Sequence, residues 1–182
     1  MKLIRHDLST KKIVIYYLND YISKNSGFPP DDFSKKIVAL KKNDQSAINY
    51  FYDLLEPKIT VGQKFMVCYV PSSKSYKKWT GCREIACKVR QNKKLKMGEH
   101  ILFRRLLLPQ QKNFRSNVKT HYESFDLEKS FSHEIENQHI LLFDDIITTG
   151  NTFLGCARFL LDNGAKKITG LILGSTKKWL PK

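Results

Sequence analysis

The sequence predicts an α/β fold with a mostly parallel sheet flanked by helices, and two observations carry that prediction. Short apolar runs of strand length alternate along the chain with segments whose apolar residues recur at helical spacing. One such run, Ile140–Phe143, leads through a Gly-containing turn straight into a helical pattern, the step from which crossover-connected parallel sheets are built.

Residues 1–18 read as a hairpin, with Leu3–Ile4, a polar stretch Asp7–Lys12, then Ile13–Leu18. The Gly and two prolines of Ser26–Asp32 mark a loop and the chain's internal boundary, between a hairpin-like extension (1–30) and the main domain (31–182). Ala47, Tyr50, Phe51, Leu54 and Leu55 form an i, i+3, i+4, i+7, i+8 stripe, a helix over 44–56. Residues 64–70 are apolar enough for a buried strand, and Cys82, Ile85, Ala86 and Val89 give a second helical stripe. The next strand is expected at 100–107, followed by a largely polar stretch, Pro109–Asn137. After Ile140–Phe143, the helix from Thr152 carries Phe153, Cys156, Ala157, Leu160 and Leu161 and stops at Asn163–Gly164. Ile168–Leu173 is the last strand, and no repeat or low-complexity segment occurs.

Composition narrows the function classes. The 182 residues are 41% hydrophobic and 27% charged, ordinary for a globular domain with a sizeable core. No apolar run approaches the roughly 20 residues of a membrane helix. The charged N-terminus has too short an apolar run for a signal peptide, so the expected location is cytoplasmic. Cys68, Cys82, Cys87 and Cys156 include no C-x-x-C pair, against a zinc ribbon or a disulfide framework, and Cys82 and Cys156 fall on apolar helix faces. The net charge of +15 is spread over the length, with knots at Lys35–Lys36, Lys41–Lys42, Lys77–Lys78, Lys93–Lys94 and Arg104–Arg105. It reads first as solvated surface, with steering of a phosphate-rich substrate or nucleic-acid contact as weaker alternatives.

The chemistry concentrates in residues 139–152, HILLFDDIITTGNT. The strand reads as ending at Asp144–Asp145, and Ile146–Ile147 then enter the turn Thr148–Thr149–Gly150–Asn151–Thr152, which opens the helix. A helix start presents backbone N–H groups and a positive dipole end, where a phosphate monoester can sit. The hydroxyls of Thr148, Thr149 and Thr152 can donate to it, and Gly150 lets the backbone come close. Ionised carboxylates accept hydrogen bonds only, so the acidic pair suits sugar hydroxyls and repels phosphate. One end of the motif fits a ribose diol, the other its 5′-phosphate.

This pattern resembles the phosphoribosyl-pyrophosphate (PRPP) signature of type I phosphoribosyltransferases, and each of its positions is occupied here. The resemblance implies the fold of that superfamily, with a flexible hood loop, and a PRPP-dependent transfer of ribose 5-phosphate that releases pyrophosphate. It implies that Asp144 and Asp145 hold the ribose hydroxyls near the reacting C1, and that Thr148, Thr149, Gly150, Asn151 and Thr152 clamp the 5′-phosphate. Mg²⁺ would be held mainly by PRPP's own oxygens, with no dedicated protein metal site. The loop after the first core strand takes pyrophosphate in that superfamily, commonly through a cis peptide. Here Ser72, Ser73 and Lys74 follow Pro71. The hood falls on residues 108–126, where Lys112, Arg115 and Lys119 could face the leaving group, and the base region falls near Leu173–Trp179. Superfamily members acting on 6-oxopurines carry an acid where this chain has Thr148, which disfavours hypoxanthine–guanine salvage. The resemblance leaves the acceptor, a small-molecule nitrogen nucleophile, unidentified. A non-catalytic PRPP- or nucleotide-binding regulator is the alternative from a different class.

Within the superfamily, the order of short elements is similar to the ComF-type branch associated with DNA uptake. The elements are Ile37–Lys41, Val70–Pro71, the basic Lys74–Val89, Pro109–Gln110 and Arg115–Val118. That branch usually adds an N-terminal cysteine-ligated zinc module, whereas residues 1–30 contain no cysteine. A competence-type DNA accessory role is what this likeness would imply.

Overall fold

Alternation of side chains along the central strands divides the interior into two cores, one on each face of a six-stranded sheet. The computed structural model describes residues 1–8, 11–23, 26–61, 65–72, 79–98, 101–106, 108 and 117–176. The chain begins with β1 (Lys2–Leu8), β2 (Lys11–Asp20), α1 (Asp32–Leu40), α2 (Gln45–Leu55), β3 (Phe65–Tyr69), α3 (Gly81–Lys93), β4 (Lys96–Met97) and β5 (Leu102–Arg104). It continues with α4 (Val118–Ser124), β6 (Phe125–Leu127), β7 (His139–Ile147), α5 (Asn151–Asp162) and β8 (Lys167–Ser175).

The sheet order is β1-β2-β8-β7-β3-β4. Only β1 is antiparallel; β2, β8, β7, β3 and β4 run parallel. The α/β architecture with a mainly parallel sheet flanked by helices is therefore present. The first two strands form a hairpin, and β2 also pairs with β8 from Ile13↔Ile168 to Asp20↔Ser175. The loop at 26–32 separates 1–20 from the rest in sequence, but not in the sheet.

On one face, Ile13, Ile15, Met66, Cys68, Ile140, Leu142, Ile168 and Ile172 pack against α5. On the other, Val67, Leu141, Phe143, Leu171 and Leu173 pack against α1, α2 and α3. Each fully buried aliphatic side chain is worth roughly 1.5–3 kcal/mol. Four helices start at a side-chain cap. Asp31, Asp44, Thr80 and Asn117 accept from the N–H of Ser34, Ala47, Arg83 and Thr120. The fifth, α5, starts at Gly150 without one.

Two expectations need correcting, and one stretch holds more structure than its polarity shows. Strand β7 runs through the acidic pair to Ile147 instead of ending at it, because Ile146 and Ile147 stay in register with β8. Among the described residues of the strand expected at 100–107, the strand is β5, which leaves the main sheet to pair antiparallel with β6. The parallel strand at that edge is β4, a two-residue element too short to show a period. The polar stretch 109–137 contains α4, β6 and a 3-10 segment, Lys129–Ile135. Seven residues of α4 span too few turns to print a helical stripe.

Candidate active site

A cavity of about 370 Å³ opens at the carboxyl ends of β3 and β7, where open parallel sheets place their ligands. It brings together Asp144, Asp145 and Thr152 from the signature with Pro71 and Ser72 from the end of β3. The fourth wall is the end of α1, with Leu40 and Lys41.

Neighbouring residues of a strand face opposite ways, and the acidic pair follows that rule. Asp145 lies on the α1 side, where its Oδ2 is 3.3 Å from Lys41 Nζ. Asp144 lies on the α5 side, and its Oδ1 accepts the Asp145 backbone N–H at 2.8 Å. Loss of water pushes the Asp144 carboxyl well above the usual carboxylate range, and the adjacent Asp145 charge adds to it. Lys41 and Arg104 pull the other way. A perturbed acid in a cleft marks a candidate functional group. Cys82, another wall residue, has its thiol pushed well up by burial and then by the two carboxylates. It is a buried thiol, not an activated one.

The turn after β7 is held from behind. Thr176 donates its backbone N–H to Ile147 O at 3.0 Å and its hydroxyl to Thr148 O at 3.2 Å. Gly150 adopts φ 78°, a left-handed conformation that would strain a side-chain-bearing residue. The N–H of Asn151 reaches Thr149 Oγ1 only at 3.5 Å. With a glycine as N-cap, no side chain of that residue competes with an anion for the first amides of α5. Thr148 and Thr149 are exposed, and Thr152 reaches the cavity.

Two residues of this neighbourhood went unread in the sequence. Arg104, grouped above with the surface charges, is fully buried. Its guanidinium donates to Ser124 Oγ and to Pro71 O at 3.5 Å, and it stacks 4.4 Å from the Phe125 ring. It thereby ties the β5–β6 ribbon to the end of β3. His121, on α4, is also buried, and its Nε2 lies 3.2 Å from Thr152 Oγ1. A histidine in a polar stretch gives no sequence signal for that contact.

Burial, followed by the Arg104 charge, lowers the His121 pKa from 6.5 to about 4. The unfolded chain therefore takes up this proton first on acidification. Stability that is intact above pH 6.5 is lost as the pH falls toward about 4. Asp144, facing the same cluster through Arg104, acts in the opposite sense, so the comparison must be differential. The expected result is that wild-type protein loses more stability than His121→Met between these pH values, read as urea midpoints.

Ser73, Lys74, Lys112 and Arg115 lie outside the described residues, as does Trp179. Of the three cations expected for a hood, only Lys119 lies among the described residues, exposed on α4 and 3.8 Å from Glu123. No peptide bond among the described residues is cis. Among them too, no three His, Cys, Asp or Glu side chains converge as a metal-ligand set, and no helix is long and apolar enough to cross a membrane.

No protein-family model matches the chain, and no curated protein does. Solved structures do. The chain is similar to a hypoxanthine phosphoribosyltransferase from Staphylococcus aureus at 16% identity, covering 74% of this chain and 67% of that one, with a TM-score of 0.49. It is likewise similar to the Trypanosoma cruzi hypoxanthine phosphoribosyl transferase at 12% identity, covering 82% of this chain and 70% of that one, with a TM-score of 0.44.

Proposed function

We propose that this protein is a PRPP-dependent phosphoribosyltransferase of the type I superfamily. It transfers ribose 5-phosphate to a nitrogen nucleophile and releases pyrophosphate. One observation carries the reading: a single cavity joins the acidic pair of β7, Thr152 in the first turn of α5 and Ser72 at the end of β3. These are an acceptor set for a ribose diol, a donor set for a phosphate monoester, and a donor beside the leaving group.

In the proposed reaction the C1–O bond breaks and its electron pair leaves with pyrophosphate. The nitrogen lone pair forms the new C1–N bond with inversion, and the nitrogen gives up its proton. Asp144 and Asp145 accept from the ribose hydroxyls and put negative charge near the developing cation at C1. The amides and hydroxyls of Thr148–Thr152 hold the 5′-phosphate, which orients C1 toward the acceptor. Mg²⁺, when carried in by PRPP, would neutralise pyrophosphate charge, and the carboxylate oxygens of the acidic pair are acceptors that fit its bound waters. Ser73 and Lys74, and the hood residues Lys112 and Arg115, are proposed for the pyrophosphate.

Lys41 joins this set. It is the one cation on the described cavity wall and it already sits on Asp145. Any ligand that takes Asp145 Oδ2 must meet its ammonium, which can then move to a substrate phosphate and leave the carboxylate to the ribose. Lys41→Met is expected to weaken PRPP binding about tenfold, the scale of one charge-assisted hydrogen bond. Binding unchanged at low and moderate salt would remove Lys41 from the site.

Thr148 has no ionisable group at neutral pH, which favours an acceptor other than a 6-oxopurine. The ComF-type assignment draws support from where its short elements fall. Lys41 ends α1, Val70–Pro71 follows β3, and Asn117 caps α4. Calorimetry with PRPP and Mg²⁺, followed by pyrophosphate release over a panel of nucleobases and amines, tests the whole reading. Mg²⁺-dependent binding with release for one acceptor class is the expected result. Binding without release for any acceptor would make the protein a sensor, and no binding would end the proposal.

A further inference from the structure

The geometry points to His121 as a positioning residue for phosphate recognition: its Nε2–H donates to Thr152 Oγ1 and so leaves the Thr152 hydroxyl proton for the phosphate. This role rests on reading the Thr148–Thr152 turn as the phosphate seat. The contact itself is 3.2 Å long and joins α4 to the second residue of α5. It is built into the packing. Gly155, one turn along α5, has no Cβ, and a Cβ there would lie 2.8 Å from His121 Cβ. The gap admits the histidine against the helix start.

The chemistry follows from counting protons. Burial and the Arg104 charge keep the imidazole neutral near pH 7, so it carries one N–H. If Nε2 were bare, the Thr152 hydroxyl would donate to it and turn lone pairs toward the cavity, where a phosphate dianion would be repelled. If Nε2 carries the proton, the Thr152 oxygen accepts from the ring and its own proton is free to point outward. Only the second arrangement makes Thr152 a donor to an anion. A side chain outside the cavity wall thus sets the polarity of one inside it.

Ribose 5-phosphate is the probe, because it engages the turn without the pyrophosphate loop. His121→Met keeps the bulk and removes the donor; His121→Gln puts an amide N–H close to the Nε2 position. The expected result is about tenfold weaker ribose 5-phosphate binding in His121→Met, recovery to within about threefold in His121→Gln, and unchanged pyrophosphate binding in both. Equal ribose 5-phosphate affinity in wild type and His121→Met would overturn the role. Wild-type protein that binds PRPP but no ribose 5-phosphate would defeat the reading of the turn, and this role with it. Should His121→Met fail to fold, nitrogen-15 spectra of the wild-type complex decide. A protonated Nε2 supports the assignment and a bare Nε2 overturns it.

Discussion

Asparagine in place of Asp144 is expected to raise the melting temperature at neutral pH by a few degrees while, on the proposed function, it slows phosphoribosyl transfer by about 10² to 10³. The reasoning starts from the raised pKa. Burial and the Asp145 charge disfavour the ionised Asp144 in the folded protein more than in the unfolded chain. A group with a raised folded pKa contributes stability that is present below its unfolded value of 3.8 and lost as the pH rises through its folded value. At neutral pH the wild type bears that cost, and an amide of the same shape does not. Asparagine keeps the acceptor for the Asp145 N–H, so the local backbone is held as before. It cannot supply the negative charge beside the C1 cation, for which a loss of about 10² to 10³ in kcat is expected.

Asp145→Asn separates the two effects. Asp145→Asn removes a partly exposed ion pair with Lys41, worth roughly 0–1 kcal/mol, and also the charge that disfavours ionised Asp144, so its gain in stability should be smaller than that of Asp144→Asn while PRPP binding falls. Stability and activity trade against each other more strongly at Asp144, which bears the burial cost, than at Asp145. Thermal melts of both variants, with pyrophosphate release, check this. A lowered melting temperature in Asp144→Asn would show that the carboxylate is favourably held, and undiminished turnover in both variants would remove the pair from the chemistry.

What could be read from the chain alone follows element length. Strand β7, helix α5 and β8 are long enough for apolar periodicity to be unambiguous, and the turn between β7 and α5 combines residue types that few structural demands would bring together. The cavity's other walls come from contacts that periodicity cannot show. Lys41 reads as one of many lysines until α1 carries it to Asp145. Arg104 reads as surface because it stands beside Arg105. Its burial depends on Ser124, Pro71 and Phe125, which lie 20, 33 and 21 positions away. The two-residue β4 and three-residue β5 carry no pattern that distinguishes a strand of the main sheet from one outside it. Short, polar segments are placed by the partners they meet in space, and α4 is the clearest case.

That dependence makes Gly155→Ala an informative substitution, because its sign opposes helix propensity. In an exposed helix interior the change stabilises by about 1 kcal/mol. Here the new Cβ would lie 2.8 Å from both His121 Cβ and Val118 O and 2.9 Å from Tyr122 N. Two of these atoms are backbone of α4, so rotamer changes alone cannot relieve the clash and the helix must shift. Overpacking of this kind costs roughly 1–3 kcal/mol, enough to cancel the propensity gain and leave a net loss. The shift would also loosen the stacking of Tyr122 and Phe125 on Phe159, whose ring centroids are now 5.5 Å and 6.1 Å apart. With α4 displaced, His121 no longer meets Thr152, so ribose 5-phosphate affinity should fall together with the urea midpoint. If the variant were instead more stable by about 1 kcal/mol, with binding intact, α4 would not be seated on α5 and the support behind the phosphate turn would have to come from elsewhere.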